Sequence, residues 1–213
     1  MELLNTYLRS VKLLRNKIDC FNQYPFSLLI FRNLDSLEFN PEGGTRDFNF
    51  STKDSHSELY QYIRLIRGAR KPRDSFFFRA ETFYNLATQI DELKVSGFYG
   101  GKSLHEQSHG EAFFATFMNK FKGNGLYILD EPEAALSPMR QMAMLSRIHD
   151  LANQQSQFII ATHSPIIMGY PGAVILQISN NGIEVIEYEK TEHYIVMIEF
   201  INNRKNMLEI LLE

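Results

Sequence analysis

Apolar residues along the chain fall into short runs, and their spacing predicts the elements. Leu126 to Leu129 and Phe158 to Ala161 are continuously apolar and end in polar residues, which reads as two buried strands. Ser75 to Ala80 and Pro25 to Phe31 read as further strands, and Tyr7 to Lys17 as an edge strand or a short helix. Glu58 to Arg67 places Leu59, Ile63 and Ile66 at helical spacing before Lys71-Pro72-Arg73-Asp74 breaks the pattern. Thr82 to Leu93 puts Phe83, Leu86, Ala87 and Ile90 on one helical face. Ser108 with Glu111 three residues on reads as a capping box, opening a helix to about Phe121. Gly123-Asn124-Gly125 reads as a turn. Pro138 stands where a first helical turn tolerates proline, predicting a helix to about Asn153. Ala173 to Ile178 and Ile183 to Tyr188 flank Asn180-Asn181-Gly182, a hairpin signal. Thr191 to Leu212 reads as helical, and residues 40–57 and 97–103 as loops. The strand–helix–strand order of the middle predicts an α/β domain, a mostly parallel sheet with helices on its faces.

Composition narrows the function classes. The 213 residues, 44% hydrophobic and 22% charged, suit one soluble globular domain with a real core. The formal charge of −3 comes without a long block of like charge, so no nucleic-acid tail or membrane patch is indicated. The stretch Arg64 to Arg73 carries five cations and reads as a solvated loop, with anion or partner contact as the alternative. The single Cys20 builds no disulfide framework and reads as a buried or incidental thiol. The first residues lack a signal-peptide pattern, and no apolar run approaches 18 residues, so a cytoplasmic location is expected.

Chemistry gathers at two strand ends. In Leu126-Tyr127-Ile128-Leu129-Asp130-Glu131-Pro132, two adjacent carboxylates follow an apolar strand. Ligands of open α/β sheets bind beyond such carboxyl ends. An aspartate there can hold Mg²⁺ through its waters, and a glutamate one residue on can orient or deprotonate a water attacking a phosphate. Phe158-Ile159-Ile160-Ala161-Thr162-His163 ends a second apolar strand in a histidine, which can bond a phosphate oxygen. Upstream, Ser108-His109-Gly110-Glu111 supplies a hydroxyl and backbone N–H groups at a helix start, a setting that suits anions.

Together these pieces resemble the ABC-type ATPase heads of the SMC and RecF-like group, and most closely the compact bacterial predicted ABC-type ATPases. The resemblance covers about residues 100 to 180. It implies a P-loop NTPase fold, ATP and Mg²⁺ as ligands, and head-to-tail pairing. Under it Ser108-His109-Gly110-Glu111 is the signature motif that reads a γ-phosphate held by the opposite subunit. Asp130 is the Walker B aspartate, Glu131 the catalytic glutamate and His163 the switch histidine. Ala134-Ala135-Leu136-Ser137 is the D-loop. On this reading Ser108, Gly110, Glu111 and Ser137 contact nucleotide. Residues 1–213 form one domain: a degenerate lobe with inserted helices (1–99), the motif-bearing core (100–190) and C-terminal helices (191–213).

One part of the family pattern is missing. The phosphate loop, G-x-x-x-x-G-K followed by Ser or Thr, wraps backbone N–H groups and a lysine around the phosphates. It is expected before residue 60, yet Phe39 runs directly into Asn40-Pro41-Glu42-Gly43-Gly44, as though a strand–loop–helix unit had been deleted there. Ser96-Gly97-Phe98-Tyr99-Gly100-Gly101-Lys102-Ser103 ends in GKS, but Ser96 occupies the first glycine position and no apolar strand precedes it. The sequence therefore predicts an ATPase-family domain whose own ATP binding is weak. Its site would be completed in a homodimer or a heterodimer with a full-length ABC-type ATPase. A non-catalytic regulatory or interaction subunit is the alternative. A metal-dependent phosphoesterase or nuclease using Asp130, Glu131, Glu133 and His163 is a third reading from another class.

Overall fold

The computed structural model describes residues 7–21, 23, 26, 28, 34–38, 58–79, 109–134, 136–179 and 182–212. Strand β1 (Leu8–Leu13) is flanked by β2 (Ser36–Glu38) and β3 (Ile63–Arg67), both antiparallel to it. Two expectations are corrected here. The Tyr7–Lys17 segment forms a central strand, not an edge, followed by a 3₁₀ turn at Arg15–Lys17. Glu58 to Arg67 is a 3₁₀ turn (Glu58–Tyr62) and then β3, not a helix. The helical spacing of Leu59, Ile63 and Ile66 was overridden by pairing with β1, a contact some fifty residues away that no local pattern encodes. Arg64 and Arg67 accordingly lie on a strand rather than in a loop, while Arg70 Nη1 donates to Gln155 Oε1 (3.0 Å).

The second sheet holds β4 (Asp74–Arg79), β5 (Gly125–Asp130) and β6 (Gln157–Ala161), all parallel in the order β4-β5-β6. The expected parallel sheet is thus present over three strands; the other described strands are antiparallel. Between them run α1 (His109–Lys120) and α2 (Pro138–Asn153). Ser137 caps α2, accepting from Arg140 N with Pro138 in the first turn, so both ends of this helix follow the sequence prediction. Ser164 then caps a one-turn helix, α3 (Pro165–Met168). The hairpin β7 (Ile175–Ser179) and β8 (Gly182–Ile186) precedes α4 (Glu192–Leu211).

The core is an aromatic stack under one face of the parallel sheet. Parallel register aligns Phe76 with Tyr127 and Tyr127 with Phe158. Phe76, Phe78, Tyr127 and Leu129 pack against Phe113 and Phe117 of α1, Phe121 just after it, and Met144, Ile148 and Leu151 of α2. Phe78 stacks on Phe113 at 3.9 Å and Tyr127 on Phe121 at 4.3 Å. Spacing of four residues puts the α1 phenylalanines on one stripe. At the opposite end of the strands Tyr127 Oη donates to Asp74 Oδ2 (2.7 Å) and accepts from Lys122 N (2.8 Å). The Gln157 side-chain amide exchanges bonds of 3.4 Å with the backbone of Leu8, which docks the antiparallel sheet at the start of β6.

The predictions at Thr82–Leu93, residues 40–57 and 97–103, the cap at Ser108 and the turn residues Asn180 and Asn181 lie outside the described residues, as does most of Pro25–Phe31. Cys20 is exposed, not buried. Among the described residues no helix is long and apolar enough to cross a membrane.

Candidate functional site at the strand ends

Parallel register sets the site. Arg79, Asp130 and Ala161 form one row across the C-terminal edge of the sheet. A row in a parallel sheet brings strand ends to one rim, so the residues following β5 and β6 emerge side by side. Glu131 takes φ of 47°, a left-handed backbone that costs a non-glycine residue about 1–3 kcal/mol. The surroundings hold it there: Glu131 N donates to Ala161 O (2.9 Å) and Glu131 O accepts from Ala134 N (3.1 Å). This turn lifts the Glu131 side chain off the strand and toward β6.

His163 follows β6 by two residues. Its Nε2 lies 3.7 Å from Glu131 Oε1, and its backbone N donates to Glu133 Oε1 (2.7 Å). The His163 and Glu131 side chains are 73% and 55% exposed, so their attraction contributes at most about 1 kcal/mol to stability. The contact therefore describes an accessible pair of reactive groups, not a structural staple. Glu133 Oε2 is buried without a hydrogen-bond partner among the described residues. Ser164 Oγ, the cap of α3, bonds Gln141 Oε1, and Gln141 Nε2 donates to Leu136 O (3.0 Å), which ties the segment after His163 to α2.

Asp130 pairs with Arg79: Nε to Oδ2 is 3.2 Å, with side chains 50% and 37% exposed. Arg79 offsets one of three carboxylates crowded at this rim (Asp130, Glu131 and Glu133). Sequence reading passed over it, because SFFFRA looks like an ordinary strand until the strand order places its end beside Asp130. His193 was missed too; its Nε2 lies 3.2 Å from His163 Nδ1.

The remaining expected residues fall elsewhere. Glu111, in the first turn of α1, pairs with Arg140 Nη2 of α2 at 3.2 Å, and Arg140 lies over the Phe114 ring. Gly110 lies in the first turn of α1, Ser137 caps α2, and Ser108 is outside the described residues. An open groove along the C-terminal half of α4, lined by Arg204, Lys205, Leu208, Glu209 and Leu212, includes none of these residues.

The donor set is suited to Mg²⁺, and only partly to a triphosphate. Asp130 stands half-accessible at a strand end, where a carboxylate can take a hydrated Mg²⁺. A triphosphate needs several converging donors. The described rim offers Arg79 and the imidazoles of His163 and His193. Among the described residues no three His, Cys, Asp or Glu side chains converge as a metal cage.

Residues 109–168 match the family model of the AAA ATPase domain. Comparison with curated proteins and with solved structures finds no match. The matched stretch runs from α1 through Asp130 and Glu131 to His163 and α3, and it supports placing the chain with the P-loop ATPases, with ATP binding as the activity that family implies.

Proposed function

We propose that the chain is an ABC-type ATPase head of the SMC and RecF-like kind, one domain that works in a head-to-tail pair with a full-length ATPase. The observation that carries this reading is the 3.7 Å approach of Glu131 Oε1 to His163 Nε2 at a rim shared with Asp130. Asp130 would hold Mg²⁺, which when bound would offset phosphate charge. Glu131 orients or deprotonates the attacking water, and His163 Nε2 contacts the γ-phosphate. Ser108, Gly110 and Glu111 act across the interface on the partner's nucleotide, and Ser137 lies on the crossing loop. With no phosphate loop between Phe39 and Asn40, turnover by the chain alone is weak.

A second reading, a regulatory subunit that pairs with an ATPase without hydrolysing ATP, is favoured by the charge balance of the rim, where three carboxylates outnumber Arg79.

Turnover assays separate these. Under the first reading a full-length homologue hydrolyses ATP faster when mixed with this chain. Glu131→Gln and Ser108→Arg in this chain each remove the gain. Under the second the gain survives Glu131→Gln. Ordinary turnover by the purified chain alone would contradict the deletion argument, and no effect of mixing would reject the composite site.

A further inference from the structure

His193 belongs to α4, far along the chain from the strand-end motifs, yet its Nε2 meets His163 Nδ1 at 3.2 Å. Two anchors hold it there. Thr191, buried at the start of α4, accepts from Tyr194 N (3.3 Å) and donates to Tyr188 O (2.7 Å). Tyr188 Oη in turn donates to Pro165 O (2.8 Å), two residues beyond His163. The two histidines thus hang from one hydrogen-bonded segment, and their approach is built into the fold.

The chemistry follows from the donor count. A neutral imidazole has one N–H and one bare nitrogen. Glu131 faces His163 Nε2, and an ionised carboxylate only accepts, so the favourable tautomer carries its proton on Nε2. That leaves Nδ1 as an acceptor, and His193 Nε2 is positioned to donate to it. We propose that His193 is a positioning residue for His163, fixing it as the Nε2–H tautomer with that donor aimed at Glu131 and the phosphate side of the rim. The role as phosphate-side donor rests on the nucleotide reading above; the tautomer does not. The carboxylates facing the pair among the described residues are Glu131 and Glu133, from the turn after β5.

Ring-nitrogen NMR on the ¹⁵N-labelled full chain, without nucleotide, tests this. In the wild type, His163 shows a protonated Nε2 and a hydrogen-bonded, unprotonated Nδ1. His193→Ala shifts the His163 Nδ1 resonance. His193→Gln, whose amide can still donate, keeps the Nδ1 resonance near its wild-type position. His163 spectra that are identical in wild type and His193→Ala overturn the proposal, as does a His163 ring that carries its proton on Nδ1. In the mixed turnover assay, His193→Ala lowers kcat about tenfold to a hundredfold with little change in KM, the scale for residues that orient a functional histidine. A hydrogen-bonded pair in a protein that never assists turnover would sink the nucleotide reading and keep the histidine pair; His163 spectra indifferent to His193, with normal turnover, would do the reverse.

Discussion

The two faces of the parallel sheet differ sharply. On one, Phe76, Phe78, Tyr127 and Leu129 are sealed under α1 and α2, and Phe117 and Tyr127 have 0% exposure. On the other, Phe77 is 57% exposed, and Ile128 and Ile159 are only half-buried. Among the described residues the buried packing of this sheet lies on one face, in one aromatic layer, and that layer should carry most of its stability.

The largest effect should come from that layer. Phe117→Ala removes a fully buried ring between Phe113 and Phe121, and urea unfolding should show a loss of about 3–5 kcal/mol. Next comes Tyr127→Phe, which removes the hydroxyl donor to Asp74 while the Lys122 N bond to Asp74 Oδ2 (3.1 Å) survives, and should cost about 1–3 kcal/mol. Burial first, and then the hydrogen bond and charge of Asp74, raise the Tyr127 phenol above its ordinary value of 10.0. A raised folded-state pKa means the contribution is complete below pH 10 and is lost as pH climbs above it. Stability should therefore fall by up to about 1.4 kcal/mol per pH unit above 10, and Tyr127→Phe should remove that share of the slope.

Arg79→Gln ranks third. The half-exposed pair with Asp130 predicts a change under about 1 kcal/mol in the same unfolding assay. The smallest effect belongs to the open face, where Phe77→Ser should stay within about 0.5 kcal/mol. A Phe77→Ser loss as large as that of Phe117→Ala would erase the contrast between the faces.

What could be read from the sequence was what is encoded locally. Ser137 and Pro138 fix the start of α2 because a cap and a first-turn proline act on their own neighbours. The apolar runs of β5 and β6 declare strands without outside help, but only β5 is largely buried; Phe158 to Ile160 of β6 are half-buried and Ala161 is exposed. The helical reading of Glu58 to Arg67 failed because β1 decides that segment's conformation from a distance. The same cause hid half of the candidate site. Asp130, Glu131 and His163 stand next to their strands in sequence, so they could be named. Arg79 reaches Asp130 only through strand order, and His193 reaches His163 only through the docking of α4, so no spacing rule points to either.

The central claim is that the rim of Asp130, Glu131 and His163 faces polyphosphate. The most direct test is a backbone NMR map of the full chain titrated with Mg²⁺ and ATP into the millimolar range, where even weak binding registers. The account predicts shifts centred on residues 130–133, 162–164 and 193, greatly reduced in Asp130→Asn. Shifts centred on residues 97–103 instead, or none at the strand ends at the highest concentration, would contradict it.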